Sequence, residues 1–348
     1  MAILNMIGKI IKEIIVIKNW LCFTANTANS TVQLTKIGTP TDISLEISTD
    51  NINWSSYTIW DTITLSNIGD KVYFRNTSES DTGFSTSLSD YYKFVMTWSI
   101  AWSWDITTLL NKNWTNTVSS YCFSALFYEC SSLATPPTLP ATTLNTNCYR
   151  GMFLNCTSLS KAPELPATTL AESCYYRMFR GCSSLTICPE LPATTLAREC
   201  YSSMFRWCTW LTTPPALPAT TLAIECYGYM FRLCTWLLTT PKLPATTLAN
   251  SCYKYMFHWC TWLLSISKLP ATAMASECYN SMFRDCTNIK LSTSQTWAYQ
   301  TAYRIPPTWT WSESWTWYSL LDMFTSSWWT FTGTPTINTT YYTSNILI

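Results

Sequence analysis

Five cations recur at a fixed interval: Arg180, Arg206, Arg232, His258 and Arg284 are each 26 residues apart. A guanidinium presents a planar fork of donors that matches a carboxylate, sulfate or phosphate. A row of them could bind an acidic glycan or another anion, and these five residues are the candidate ligand-binding row. The competing reading is a solvated helix end, where cations suit the negative end of the helix dipole. Glu199 and Glu225, seven residues before Arg206 and Arg232, would offer local compensation.

Cysteines keep the same interval. Cys122, Cys148, Cys174, Cys200, Cys226, Cys252 and Cys278 form one series, and Cys130, Cys156, Cys182, Cys208, Cys234, Cys260 and Cys286 a second. Cys22 and Cys188 fall outside both. Eight-residue separation is not a zinc-ligand spacing, and His258 is the single histidine. Within a helix, cysteines eight apart stand about 12 Å from each other, too far for a disulfide. Bridges between equivalent cysteines of neighbouring units are the alternative to buried free thiols acting as small hydrophobes. A second column, Thr138, Glu164, Glu190, Ala216, Lys242 and Lys268, drifts from acidic to basic and pairs no acid with a base. No Ser-His-Asp set, phosphate loop or dinucleotide fingerprint occurs, so no catalytic residue, metal or cofactor is expected.

The elements that position these residues follow from the period. The consensus of the seven units reads C-Y-x-x-M-F-x-x-C-T-x-L-x-x-x-P-x-L-P-A-T-T-L-A-x-x, and "LPATTL" recurs at 139, 165, 191, 217 and 243. A fixed period of this length signals stacked repeats. With the first cysteine as position 0, apolar residues fall at 0, 1, 4, 5 and 8. On a helix they span an arc of about 140°. Pro163 and Pro166 exclude helix from the second half, where a short strand is expected near 159–165. The expected fold class is α+β: an antiparallel β-sandwich, then a right-handed leucine-rich-repeat solenoid with one short helix and one short strand per unit.

The sandwich is expected at 21–97, where "STVQLTKIG", "TDISLEIST" and "KVYFRN" alternate β-branched, aromatic and polar residues between turn signals. Residues 98–120 read as linker and entry cap, 121–290 as the repeats, and 291–348 as an insertion, a degenerate unit containing "LLDMFTSS" and a terminal cap. Residues 1–20 have uncertain status. Lys12 and Glu13 interrupt the apolar run of a secretory signal, and the segment is too short and charged for a membrane span. Leu4, Ile7, Ile11, Ile14 and Ile15 suit an amphipathic helix, and a misplaced start codon accounts for the segment equally well.

The repeat "CYxxMFxxCTxLxxxPxLPATTL" resembles those of BspA-like leucine-rich-repeat surface proteins, closely over about 121–290 and loosely beyond. The resemblance implies a binding protein displayed at a surface. The expected function is an adhesin, extracellular, at a cell surface or on a virion, that binds protein or glycan through an extended repeat face. A phage fibre or decoration protein and an intracellular interaction scaffold are the alternatives. Net charge is +1 and charged residues make up 12%, which argues against nucleic-acid and membrane-surface partners.

The chain has 8 glycines and 19 tryptophans. Position 7 holds Gly181, Trp207, Leu233, Trp259 and Asp285 in successive units, a site suited to a left-handed residue and hence to glycine. Trp98, Trp102, Trp104, Trp309, Trp311, Trp315, Trp317, Trp328 and Trp329 stand in stretches that read as turns. UGA encodes tryptophan in one variant code and glycine in another. Reading every tryptophan but Trp54 as glycine would lift glycine to 26 of 348 residues, about the ordinary 7%. The alternative is an aromatic binding surface. Trp207 and Trp210 are accordingly left out of the candidate site.

Overall fold

The computed structural model describes residues 20–77, 83–103, 106–110, 118–307, 317–326 and 331–348. Residues 1–19 of the leader, Trp104, Trp309, Trp311, Trp315, Trp328 and Trp329 lie outside them, as does the side chain of Trp317.

Eight strands precede the repeats: β1 (Leu21–Ala25), β2 (Ser30–Ile37), β3 (Leu45–Ser48), β4 (Ser55–Tyr57), β5 (Thr62–Leu65), β6 (Lys71–Asn76), β7 (Tyr91–Thr97) and β8 (Ile100–Ser103). They form two antiparallel sheets, ordered β4-β3-β6-β1-β8 and β5-β2-β7. Alternation along each strand sends one set of side chains inward. In β6 that set is Val72, Phe74 and Asn76, and in β7 it is Tyr92, Phe94 and Met96. Phe94 meets Phe23 and Phe74 of the facing sheet at ring-centroid distances of 4.9 and 5.4 Å. The segment expected as a linker contains β8, whose Trp102 packs edge-on against Phe23 at 4.0 Å.

The helix and strand expected in each unit do not form. Among the described residues there is no α-helix, and helical geometry is confined to the 3-10 turns Ile106–Leu109 and Trp317–Ser319. The strand expected near 159–165 shrinks to an isolated bridge between Lys161 and Ile187. The α+β leucine-rich-repeat solenoid is therefore incorrect: the chain is β-rich, with several small sheets and long runs of turns.

Each run "CYxxMFxxC" is a chain of overlapping turns. In the unit that begins at Cys174, the N–H groups of Cys174, Tyr176, Met178, Arg180 and Cys182 donate to carbonyls three residues back, at 3.0–3.3 Å. The intervening N–H groups of Ser173, Tyr175, Arg177, Phe179 and Gly181 donate to Arg198, Cys200, Ser202, Met204 and Arg206 of the next unit, at 2.8–3.1 Å. Local and inter-unit bonds alternate, so every N–H of the run is satisfied without a helix, as burial requires. The geometry demands a left-handed residue every fourth position. Ser173, Arg177 and Gly181 have φ of 54, 57 and 75°.

Apolar positions 1, 4, 5 and 8 point into one continuous core. Tyr149, Tyr175, Tyr201, Tyr227, Tyr253 and Tyr279 stack in near-parallel steps of 5.8–5.9 Å. Phe127, Phe153, Phe179, Phe205, Phe231, Phe257, Phe283 and Phe324 do so in steps of 5.5–5.7 Å. Such contacts are worth about 0.5–1.5 kcal/mol per pair beyond burial.

Both ends of the stack are covered by parts of the same chain. At the start, Phe94 of β7 stacks on Phe127 at 5.6 Å and its N–H donates to the Leu126 carbonyl at 2.8 Å. At the finish, Tyr279, Ser281, Phe283 and Asp285 donate to Ser319, Leu321, Met323 and Thr325. Beyond the last regular units, β10 (Leu291–Ser292), β11 (Thr301–Arg304) and β12 (Thr340–Thr343) form an antiparallel sheet in the order β10-β12-β11. The last strand, β13 (Ile346–Leu347), pairs in parallel with β9 (Ser265–Ile266).

Candidate functional site

The five cations of the candidate row come into register through the backbone. Asn155, Gly181, Trp207, Leu233 and Trp259 donate their N–H groups to the carbonyls of Arg180, Arg206, Arg232, His258 and Arg284, at 2.8–3.0 Å. One cation therefore stands on each rung. The residues that set this register occupy position 7, and all are left-handed or, like Asn155 at φ 62°, share that region.

The row divides into two parts. At its far end, His258 is 6% exposed and its Nε2 lies 2.9 Å from Asp285 Oδ2. Arg284 lies 3.6 Å from Asp285 and 3.3 Å from Asp322. Burial lowers the His258 pKa, opposed by its bond to Asp285. In the middle, Arg180, Arg206 and Arg232 have no carboxylate partner among the described residues. Glu199 instead approaches Arg198 at 3.4 Å and accepts from the Ser173 hydroxyl at 3.1 Å. The local compensation expected from Glu199 and Glu225 therefore does not reach the row. The Nε atoms of Arg177, Arg180, Arg206, Arg232 and Arg284 are buried with no hydrogen-bond acceptor in reach among the described residues.

Rings flank the central guanidinium groups. Those of Arg180 and Arg206 lie 4.7 and 4.9 Å from the Trp207 ring centre, and that of Arg232 lies 5.7 Å from Tyr255. Arg150 and Arg177 share Tyr176 at 4.2 and 4.6 Å. Burial pushes the Arg206 pKa down to about 10, reinforced by Arg232, Arg180 and Arg177 in that order. Burial also lowers Arg180, with Arg177 as the next contributor. Arg177 joins the strip from position 3. The 26-residue period concealed it because most other units carry a different residue type there.

The cysteines do more than fill space. All sixteen are free, and the fourteen of the two series are buried. The thiols of Cys156, Cys182, Cys208, Cys234, Cys260 and Cys286 donate to the carbonyls of Phe127, Phe153, Phe179, Phe205, Phe231 and Phe257, at 2.9–3.1 Å. Cys130 makes the same bond to Phe94 of β7. Each thiol ties its unit to the one before. Burial raises their pKa, to about 12 for Cys174, Cys226 and Cys278. Among the described residues, no group of three or more His, Cys, Asp or Glu side chains is arranged to hold a metal ion. No helix among them is long and apolar enough to cross a membrane.

The proline-rich halves form a separate face. A shallow cleft of about 580 Å³ lies between Lys161–Pro166 and Ile187–Pro192, and one of about 410 Å³ lies between it and Thr135–Pro140. Glu164 and Lys161 line both clefts and Glu190 the larger.

Nine of the described tryptophans fall into three groups. Trp60, Trp98, Trp207 and Trp259 have φ of 61–81° and are at least 39% exposed. Trp20 and Trp102 are buried, at 6 and 5% exposure, and behave as core aromatics. Trp210, Trp236 and Trp262 form an exposed ladder with ring centres 6.1 and 5.2 Å apart. The glycine reading has conformational support in the first group and none at Trp20 or Trp102.

The class defined by fold and site is a β-rich protein in which two antiparallel sheets cap a stack of 26-residue turn units bearing a row of cations. Comparison with protein-family models, curated proteins and solved structures gives no match. The resemblance of the repeat to BspA-like surface proteins thus rests on its motif residues.

Proposed function

We propose that this protein is an adhesin, displayed at a cell surface or on a virion, whose repeat stack presents an extended face to a glycan or protein. The observation that carries the reading is the central run of Arg180, Arg206 and Arg232, held in register by backbone bonds and without a carboxylate partner among the described residues. At the far end of the same row His258 and Arg284 each meet a carboxylate, so the open rungs are confined to its middle. Repetition supports the same reading, because equal groups at equal intervals suit a ligand that itself repeats. The proline-rich face adds a second, shallower surface.

The test is flow cytometry of labelled full-length chain on bacterial and animal cells. Saturable binding, displaced by unlabelled chain, is expected on at least one cell type. Absence of saturable binding on every type would contradict the adhesin reading.

A further inference from the structure

We infer that Arg180, Arg206 and Arg232, extended by Arg177, form a binding strip for a linear acidic polysaccharide lying along the stack, with carboxylate or sulfate groups meeting successive rungs. The inference rests on the adhesin reading and narrows it to one ligand class and one part of the repeat face.

Spacing comes first. Core rings on successive rungs stack 5.6–5.9 Å apart. An extended chain of pyranose sugars advances by a comparable distance per residue, so charged sugars can keep step with the rungs. Charge comes second. Four guanidinium groups on three neighbouring rungs lack a carboxylate partner among the described residues, and like charges held together in partly buried surroundings repel. An anion on each rung would relieve that repulsion and supply acceptors for the fork of donors. The third consideration is contrast within one row. Asp285 and Asp322 close the row at its far end with the same backbone geometry, so the open rungs do not follow from the fold itself.

The chain's overall charge favours polysaccharide over nucleic acid. Net charge is +1, and a nucleic-acid surface draws its affinity from many phosphate contacts and a broad positive field. Here the positive field is a narrow strip of one or two cations per rung. The strip does not depend on residue 207 being tryptophan. With glycine there, Arg180 and Arg206 would lose a ring neighbour and remain without a carboxylate.

Binding of the full-length chain is measured by biolayer interferometry on immobilised polygalacturonate, its neutral methyl ester, dextran sulfate, polyphosphate and single-stranded poly(dT). The variants are Arg180→Gln/Arg206→Gln/Arg232→Gln, the charge-retaining Arg206→Lys and, as control, Lys242→Gln on the other face. The chain is expected to bind polygalacturonate or dextran sulfate, whichever of the two wins identifying the anion. Binding should weaken at least tenfold in the triple variant and with added salt, fall less in Arg206→Lys, and stay unchanged in Lys242→Gln. Equal binding by the triple variant, poly(dT) or polyphosphate bound as tightly as the polysaccharides, or no binding to either acidic polysaccharide would each overturn the inference. Should the triple variant fold poorly, Arg206→Lys carries the test alone: unchanged affinity with native circular dichroism overturns it. Saturable cell binding that the arginine variants retain would remove this inference and leave the adhesin reading standing. Loss of all cell binding with polysaccharide binding intact would do the reverse.

Discussion

The two sheets at the start of the chain and the stack that follows solve the same backbone problem in different ways. In β1–β8, N–H and C=O groups pair across antiparallel strands, and only isolated turn residues such as Asn29, Gly38 and Asn51 are left-handed. In the stack, local turn bonds alternate with bonds to the next unit, and one residue in four along each turn run is left-handed. Charge differs as well. Arg75 in β6 is paired with Glu46 and packed over Trp54 at 4.1 Å, whereas the central arginines of the stack are unpaired. The stack pairs some of its charges, such as Lys254 with Glu277 and Arg284 with Asp322, and leaves its central arginines without a carboxylate among the described residues.

Alkali should break the comparison most strongly. Thiols buried in the stack ionise well above their ordinary value of 9.0, some at about 12, because burial disfavours the thiolate. Unfolded thiols ionise near 9.0, so stability is full below that pH and is lost as pH rises through the window from 9 to about 12. Each such thiol contributes a slope of about 1.4 kcal/mol per pH unit within the window. The sheets hold a single cysteine, Cys22. Circular dichroism and tryptophan fluorescence during an alkaline titration should therefore show the stack unfolding first. Simultaneous loss of both regions near neutral pH would contradict this.

Core charge insertion is next in size. Met204 and Phe205 are fully buried, and Met204→Asp or Phe205→Asp should each cost more than about 4 kcal/mol and split the stack locally. Val95→Asp on the exposed side of β7 should stay within about 0.5 kcal/mol. Unchanged urea midpoints for both stack variants would refute the inward placement of positions 4 and 5.

Two tryptophans separate the regions by sign. Trp102→Gly should destabilise by about 3–5 kcal/mol, since it removes a ring packed between Phe23 and Phe127. Trp207→Gly should stabilise by about 1–2 kcal/mol, since it relieves a left-handed L-residue that is partly exposed. Thermal melts of both variants decide the matter. Under the glycine reading, peptide mass spectrometry of chain from its natural source reports glycine at 207 and 259. Tryptophan at both would end that reading.

Removing a charge gives the smallest effect, again of opposite sign. Arg206→Gln without ligand should leave stability unchanged or raise it by up to about 0.5 kcal/mol, because neighbouring arginines no longer repel. Glu46→Gln should lower it by about 1 kcal/mol by uncoupling Arg75. Denaturant midpoints that move in the same direction for both would remove the contrast.

What the sequence disclosed follows the same division. Alternation in "KVYFRN" placed Val72 and Phe74 inward, because a strand's period of two is unmistakable over six residues. The 26-residue interval likewise disclosed equivalent positions and the cation row. Local conformation within a unit was not legible from hydrophobicity. Apolar residues at 0, 1, 4, 5 and 8 fit a helix face, yet they equally fit turns that repeat every four residues. Over nine residues the two periods scarcely diverge. The distinguishing signal lay in positions −1, 3 and 7, where Asn147, Gly151 and Asn155, then Ser173 and Gly181, are turn formers tolerant of a left-handed backbone. Arg177, Tyr229 and Tyr255 at position 3 blurred it. Whether each cation had a counter-charge depended on side-chain geometry between units, as with Asp322 reaching Arg284 across 38 residues.

The left-handed residue at position 7 of each unit from Asn155 to Trp259, through its N–H, aligns the cation of the next unit. Solution NMR can measure φ directly at Asn155, Gly181, residue 207, Leu233, residue 259 and Asp285 from amide–Hα couplings and nuclear Overhauser effects. Positive φ at all six, with the Gly181 amide protected by its bond to Arg206, is the predicted result. Negative, helical φ at Leu233 and Asp285, where no glycine preference operates, would contradict the turn stack and the alignment of arginines built on it.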